Sequence, residues 1–298
     1  VSDKSSVVRS YDALRQRIDR LFFREENEIS AHQMSLPGFD KSVSSIMFPG
    51  DNIGDFMDFI VAVLPDQEVY LFGGVIRDLA LMGKRSFNSD IDIVVEGGVG
   101  RLINVLDGLG AKRNKFGGYR FNVGDWPVDI WSAEDTWAIK EGFVKYNGAS
   151  SLIKTTVLNW DAILMNWRSK FFISETTYLD MLKGRVLDVV LEQNPNPLGM
   201  AVRVFRHLSS KDARKISLAA FSYLERCTQS FSFDQLKNAE MKSYGSNLIE
   251  PMIYSFFLQS QSRSGVPKER FRGAVEDFVN SGRGVAWGQL NLNLSENI

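Results

Sequence analysis

The chain has 298 residues, 44% of them hydrophobic and 24% charged, with a net charge of −1; this is ordinary globular material, long enough for two cores. So even a charge balance excludes the broad electrostatic footprint of a protein that neutralises many phosphates at once. No run approaches the roughly 20 apolar residues of a bilayer span, and the opening VSDKSSVVRSYD lacks the apolar stretch of a secretory signal. The single cysteine, Cys227, makes no intramolecular disulfide and suits a reducing cytosol, so a cytoplasmic protein without a membrane partner is expected. Two histidines, His32 and His207, have no neighbours at zinc spacing and are expected to be structural or exposed.

In chain order, residues 3–30 predict an amphipathic helix, with Val7, Val8, Tyr11, Leu14, Ile18, Leu21 and Phe22 along one face. The Pro37-Gly38 and Pro49-Gly50 breaks mark a loop-rich link, and Ile53 to Leu64 reads as a helix stopped by Pro65. A mixed sheet follows, with strands at Glu68–Phe72, Ile91–Val95, Tyr119–Val123 and Val128–Trp131 and helices at 75–82 and 99–109. From about residue 198 the chain reads as mainly helical, with a Gly- and Asn-rich tail after Ser281 expected to be loosely ordered. The expected division is 1–50 for the N-terminal helix and linker, 51–195 for the domain carrying the sheet, and 196–298 for a helical domain. The fold class is therefore α+β.

Two signals within this sheet carry chemistry. Gly73-Gly74 follows a strand and opens a helix; without Cβ atoms the backbone can approach a phosphate, and the helix directs free N–H groups at it. Twelve residues after Asp78 comes Asp90, in the run Ser89-Asp90-Ile91-Asp92. On a strand, alternation sends Asp90 and Asp92 to one face and Ile91 and Ile93 to the other. Carboxylates so placed repel, and a hard cation such as Mg²⁺ relieves the repulsion while keeping positions for water and phosphate. The chemistry invited is phosphoryl or nucleotidyl transfer.

The run GGVIRDLALMGKRSFNSDIDIVV resembles the head of the polymerase-β-type nucleotidyltransferases, most closely the bacterial-type CCA-adding enzymes and poly(A) polymerases with their GGxxRDxLLG and DxD pattern. Fainter likeness continues in Phe116-Gly117-Gly118-Tyr119-Arg120, in Val128-Asp129-Ile130, in Leu158 to Asn166, in Leu179 to Val190, and in Asn196-Pro197-Leu198 before Arg203 and Arg206. It spans roughly residues 55–210. The resemblance implies a polymerase-β-like mixed sheet followed by a helical neck and body. It also implies a nucleoside triphosphate substrate, Mg²⁺ as cofactor in a two-metal mechanism, and an RNA 3′ end, tRNA-like, as the favoured acceptor.

On this resemblance Asp90, Asp92 and Asp129 are the catalytic and metal residues, and Gly73, Gly74, Arg77, Asp78, Arg203 and Arg206 bind nucleotide. Asp129 has a second reading, an acid paired with Arg120, and Arg77 with Asp78 reads as an ion pair bracing the glycine turn. Lys112-Arg113-Asn114-Lys115, beside the sheet, is a candidate for phosphate contact. Trp126, Trp131 and Trp137 read first as packing residues. The family's RRDFT motif is replaced here by Thr155-Thr156-Val157-Leu158-Asn159, its base-reading EDxxR motif is missing, and Asn196 and Gly199 stand where DPLR has its acid and arginine. The part after the neck is also short for the family's tRNA-binding body and tail. These departures bear on which base is chosen, with Gln193, Asn194 or the two neck arginines expected to face it. Two alternatives remain: transfer to a small molecule or protein hydroxyl, as in antibiotic-modifying or toxin-type enzymes, and a degenerate nucleotide-binding domain.

Overall fold

A computed structural model describes residues 7–23, 51–83, 89–211 and 213–262. Residues 3–6 and 24–30 of the expected first helix, the Pro-Gly breaks, His32 and the tail after Ser281 lie outside the described residues. The chain divides into two compact units, one running to Thr156 and including Trp160–Leu179, the other formed by Val157–Asn159 and the chain from Asp180 onward.

In the first unit the elements are α1 (Tyr11–Phe22), α2 (Ile53–Val63), β1 (Glu68–Phe72), α3 (Gly74–Met82), β2 (Ile91–Glu96), α4 (Ile103–Gly108), β3 (Lys112–Arg113), β4 (Tyr119–Val123), β5 (Trp126–Ser132), α5 (Trp137–Lys140), β6 (Ile163–Asn166) and β7 (Phe172–Ser174). α6 (Tyr178–Lys183) leads from the first unit's last residues into the second, where β8 (Val186–Leu187), α7 (Pro197–Ser210), β9 (Lys215–Ile216), α8 (Leu218–Ser230), α9 (Phe233–Tyr244) and α10 (Pro251–Ser262) follow. A mixed sheet followed by a mainly helical unit is the α+β architecture expected. Among the described residues no helix is long and apolar enough to cross a membrane.

Seven strands form the main sheet in the order β3-β4-β5-β2-β1-β6-β7. Only the central β2–β5 pairing is parallel; the others are antiparallel. One face is packed by helices. Leu71, Ile91, Ile93, Val128 and Ile130 are fully buried there, and Phe56 of α2 meets Phe121 of β4 edge to face at 5.4 Å. Full burial of such side chains contributes about 1.5–3 kcal/mol each. On the other face Tyr70, Phe72 and Val94 pack with Ala149, Leu152 and Ile153, from a 3₁₀ segment, into a second apolar cluster. β2 is therefore covered on both sides, which explains why Ile91, Ile93, Val94 and Val95 are all buried rather than alternating.

Within the described residues the first helix begins at Tyr11, not before Val7. Ser10 is extended, and its hydroxyl accepts from the Ala13 N–H, capping the helix. α1 buries Leu14, Ile18, Leu21 and Phe22 within the first unit, where it packs against α3, and the Phe22 ring lies 5.0 Å from that of Trp167. At the far end of the β4–β5 hairpin the chain turns at Gly124-Asp125, with Val123 opposite Trp126. Gly124 has φ +54°, and a Cβ there would come within 2.8 Å of the Asp51 carbonyl oxygen, so only glycine fits.

In the second unit α7, α8, α9 and α10 pack around Phe205, Phe221 and Phe257. A buried acid organises the end of α9. Glu240 accepts from Arg206 of α7 at 2.5 Å and from the N–H groups of Leu248 at 2.8 Å and Ile249 at 3.3 Å. Its side chain is only 1% exposed. Removing it leaves a largely buried guanidinium and two amides without their acceptor, a loss of about 3 kcal/mol. Glu240→Ala should therefore unfold at clearly lower temperature or denaturant concentration than the parent, with Glu240→Gln intermediate; equal stability of Glu240→Ala would remove this role from the acid.

Candidate active site

The site is built where the centre of the sheet meets the start of α3. β1 ends at Phe72, and the next residue adopts φ +63° and ψ −112°, a conformation open to glycine. Gly73 caps α3 through its backbone, and its own N–H donates to the Ile163 carbonyl at 2.9 Å. A Cβ on Gly74 would sit 3.4 Å from the Ser89 hydroxyl oxygen. The glycine turn thus lies alongside the residue that immediately precedes Asp90.

What holds the turn there is Arg77, one helical turn into α3. Its side chain is 8% exposed and ion-paired with Asp78 at 2.9 Å and with Asp161, whose side chain is 10% exposed. Arg77 also donates to the Ser89 hydroxyl at 3.2 Å, and that hydroxyl donates to Asp78 at 2.5 Å. Burial alone would push the arginine toward losing its proton; Asp161 and Asp78 outweigh it and hold Arg77 above its ordinary range. Tyr178, buried beside them, donates to the Trp160 carbonyl at 3.0 Å, and burial followed by the Asp161 charge pushes its phenol well up. Arg77 and Asp78 accordingly stand as the internal brace that their sequence spacing suggested. Asp161 and Ser89 complete it, and sequence reasoning missed both. Asp161 lies more than eighty positions from Arg77, inside the faintly similar segment Leu158 to Asn166, and nothing local to that segment names Arg77 as its partner.

The carboxylates are set by register. One row running across all seven strands reads Lys112, Arg120, Asp129, Asp92, Phe72, Leu164 and Ile173, each residue directly paired with the next. Paired residues on neighbouring strands share a face, so Asp92 and Asp129 are adjacent on the two parallel central strands. Asp90 lies just ahead of β2 and is reached by Arg120, which ion-pairs with it and lies 3.3 Å from Asp129. Burial raises the Asp129 pKa, Arg120 pulls it down and Asp90 pushes it up. At the other end of β2, Glu96 accepts from the phenols of Tyr70 at 2.8 Å and Tyr146 at 2.7 Å. That acid is taken up by packing and by hydrogen bonds.

Both readings of Asp129 have a counterpart in this geometry, since it pairs with Arg120 and also stands beside Asp92. As the side chains lie, no group of three or more His, Cys, Asp or Glu among the described residues is arranged to hold a metal ion; the Arg120 guanidinium stands between two of the three carboxylates instead. The donor set itself, carboxylate oxygens on adjoining strands, has the hard-oxygen chemistry that Mg²⁺ requires.

The remaining predicted residues lie on other elements. Lys112 and Arg113 form the edge strand β3, and the turn after them is tied by Asn114, whose side chain accepts from Phe116 and Gly118 N–H groups. Trp131 packs edge to face on Phe72 at 6.0 Å and donates to Thr136, and Trp137 packs on Phe143. Arg203 and Arg206 lie on α7 of the second unit. Arg203 is exposed, whereas the guanidinium of Arg206 is engaged by Glu240 and lies 4.1 Å from the centre of the Tyr244 ring. Asn194 accepts from the Asn196 N–H, and Asn196 caps α7 by accepting from Gly199. Cys227 and His207 are buried in this unit.

No family model matches the chain, and no curated protein matches it. Among solved structures it is similar to a CCA-adding enzyme in complex with CTP, at 16% identity and a TM-score of 0.46 over 80% of this chain and 66% of that one. A Thermotoga maritima CCA-adding enzyme complexed with tRNA gives 16%, 0.47, 80% and 65%. A tRNA nucleotidyltransferase complexed with a primer tRNA and an incoming ATP analogue gives 16%, 0.48, 80% and 71%. The chain spans just under two thirds of the length of the first two. At these identities the likeness to the three structures is a remote one.

The brace gives a direct test of how the site is held. With Asp161 truncated, Arg77 keeps its burial but loses one of its two counter-charges, a loss of about 3 kcal/mol. Asp161→Ala should lower the melting temperature by several degrees, with Asp161→Asn falling between it and the parent; an unchanged melting temperature would show that Asp78 alone suffices.

Proposed function

We propose that the protein is a Mg²⁺-dependent nucleotidyltransferase that moves a nucleoside monophosphate from a nucleoside triphosphate to an acceptor hydroxyl, the favoured acceptor being an RNA 3′ end. The observation that carries this reading is the row placing Asp92 directly beside Asp129, with Asp90 on the same side and the glycine turn of α3 alongside Ser89. In this reading Asp90, Asp92 and Asp129 hold the metal. Bound there, Mg²⁺ supplies positive charge to the triphosphate and lowers the pKa of the attacking hydroxyl.

The chain's own part is positioning. The first N–H groups of α3 and its dipole receive phosphate oxygens, Gly73 and Gly74 keep side chains out of their way, and Arg77 fixes the turn without leaving its two carboxylates. The resemblance favours RNA. The net charge of −1 favours the second reading, a small-molecule or protein hydroxyl, because it offers little electrostatic grip on a long polyanion. Without the family's base-reading acid and arginine, addition of one kind of nucleotide or of a relaxed mixture is expected, since strict choice takes side chains that pair with a base edge.

The test is to incubate purified protein with each α-labelled nucleoside triphosphate, Mg²⁺ and total cellular RNA. Label in RNA supports the reading, label in protein or in a small molecule moves it to the second acceptor class, and no label with any of the nucleotides overturns it. Asp90→Asn and Asp92→Asn should each reduce transfer by roughly a hundredfold or more while melting as the parent does; near-parental turnover in either would refute the assignment of these acids.

A further inference from the structure

Arg120 occupies a position that the proposed reaction needs for something else. It projects from β4 into the acidic centre, where a single guanidinium engages Asp90 and lies 3.3 Å from Asp129. Those are two of the carboxylates that would hold a Mg²⁺ ion in the proposed reaction. A divalent cation arriving there meets a guanidinium already drawn up to Oδ2 of both acids, and the two positive charges repel at that range. Yet the arginine is not part of the packed structure. Its side chain is 57% exposed, against 8% for Arg77, so it can leave without opening a cavity.

The surroundings define where it goes. In the row across the sheet Arg120 stands between Asp129 on its inner side and Lys112 on its outer side, and Arg113 and Lys115 lie on the same edge hairpin. Arg113, paired with Tyr119, faces the other side of the sheet, whereas an arginine displaced from the acids would meet Lys112, its paired neighbour on the same face. There its planar fork suits the paired oxygens of a phosphate.

We propose that Arg120 is a positioning residue that competes with the divalent cation for Asp90 and Asp129, and that on displacement it turns to the triphosphate, so that metal and nucleotide load together. This rests on the nucleotidyltransferase reading. As the side chains lie, Arg120 supplies the counter-charge that keeps the carboxylates from repelling one another. A metal ion alone must displace it at a cost, and a metal ion arriving with a triphosphate gives it a new partner. The two ligands then favour each other's binding by the same factor, as linkage requires.

The experiment measures Mn²⁺ affinity by electron paramagnetic resonance in the 298-residue parent, Arg120→Met and Asp90→Asn, first with Mn²⁺ alone and then with non-hydrolysable analogues of the four nucleoside triphosphates. Melting curves check that each variant is folded, and methionine keeps the apolar stem of the arginine. With Mn²⁺ alone, Arg120→Met should bind about tenfold or more tightly than the parent, since a competing positive charge next to the ion is gone. The analogue should tighten Mn²⁺ binding strongly in the parent and only slightly in Arg120→Met, which should also bind the analogue more weakly. If Asp90→Asn abolishes Mn²⁺ binding but Arg120→Met binds no more tightly than the parent, the arginine does not compete and the proposal fails while the metal site stands. If Mn²⁺ binding is indifferent to Asp90→Asn, with and without analogue, the metal site is wrong and both readings fall together.

Discussion

The arrangement of the first unit depends on one buried cation. Arg77 lies inside the protein and is held there by Asp78 on its own helix, by Asp161 from a distant stretch of chain, and by the Ser89 hydroxyl. A charge so enclosed is tolerated only when its donors are met by acceptors in fixed places, because desolvating an ion costs several kcal/mol before any attraction is recovered. The need to satisfy the fork therefore fixes three pieces of chain at once: the first turn of α3, the residues leading into β2, and the segment before β6. The glycine turn inherits its position from this requirement.

A second constraint acts across the strands. The central row changes from cations at the β3–β4 edge to acids in the middle to apolar residues at β1, β6 and β7. Two acids side by side on parallel strands, one of them partly desolvated, oppose sheet formation unless a positive charge is near. Arg120 supplies one from the next strand out.

Much of this was legible beforehand, and the illegible parts share a cause. β1 and β4 match their expected spans, β2 extends its span by one residue and β5 by three, because each carries apolar residues at strand spacing between turn residues. Arg77-Asp78 announced an ion pair by adjacency. By contrast β6 was invisible as a strand: Ile163, Leu164, Met165 and Asn166 are all buried, so the run shows no alternation, and its partner β7 is only three residues long. Asp161 and Glu240 were missed for a related reason. A buried acid looks in sequence like any surface acid, and only the tertiary partner reveals what it does. Arg206, one helical turn beyond Arg203, could not be told from it by pattern, yet the structure engages its guanidinium with Glu240 and leaves Arg203 at the surface.

The turn at Gly124 lies at the far end of its hairpin from the acids, but it sets the count of residues on which they depend. Strand pairing has a period of two, so a slip of one residue turns every side chain of a strand to the opposite face. Between Val123 and Trp126 there is room for only Gly124 and Asp125, and the positive φ of Gly124 together with the nearby Asp51 carbonyl leaves that turn one comfortable length. An inserted or deleted residue there would bring Arg120 opposite Val128 or Ile130 instead of Asp129. The hairpin thus works as a ruler. A change in loop length, which most surface turns absorb without effect, would here be transmitted along two strands and read at the charged centre as a lost pairing.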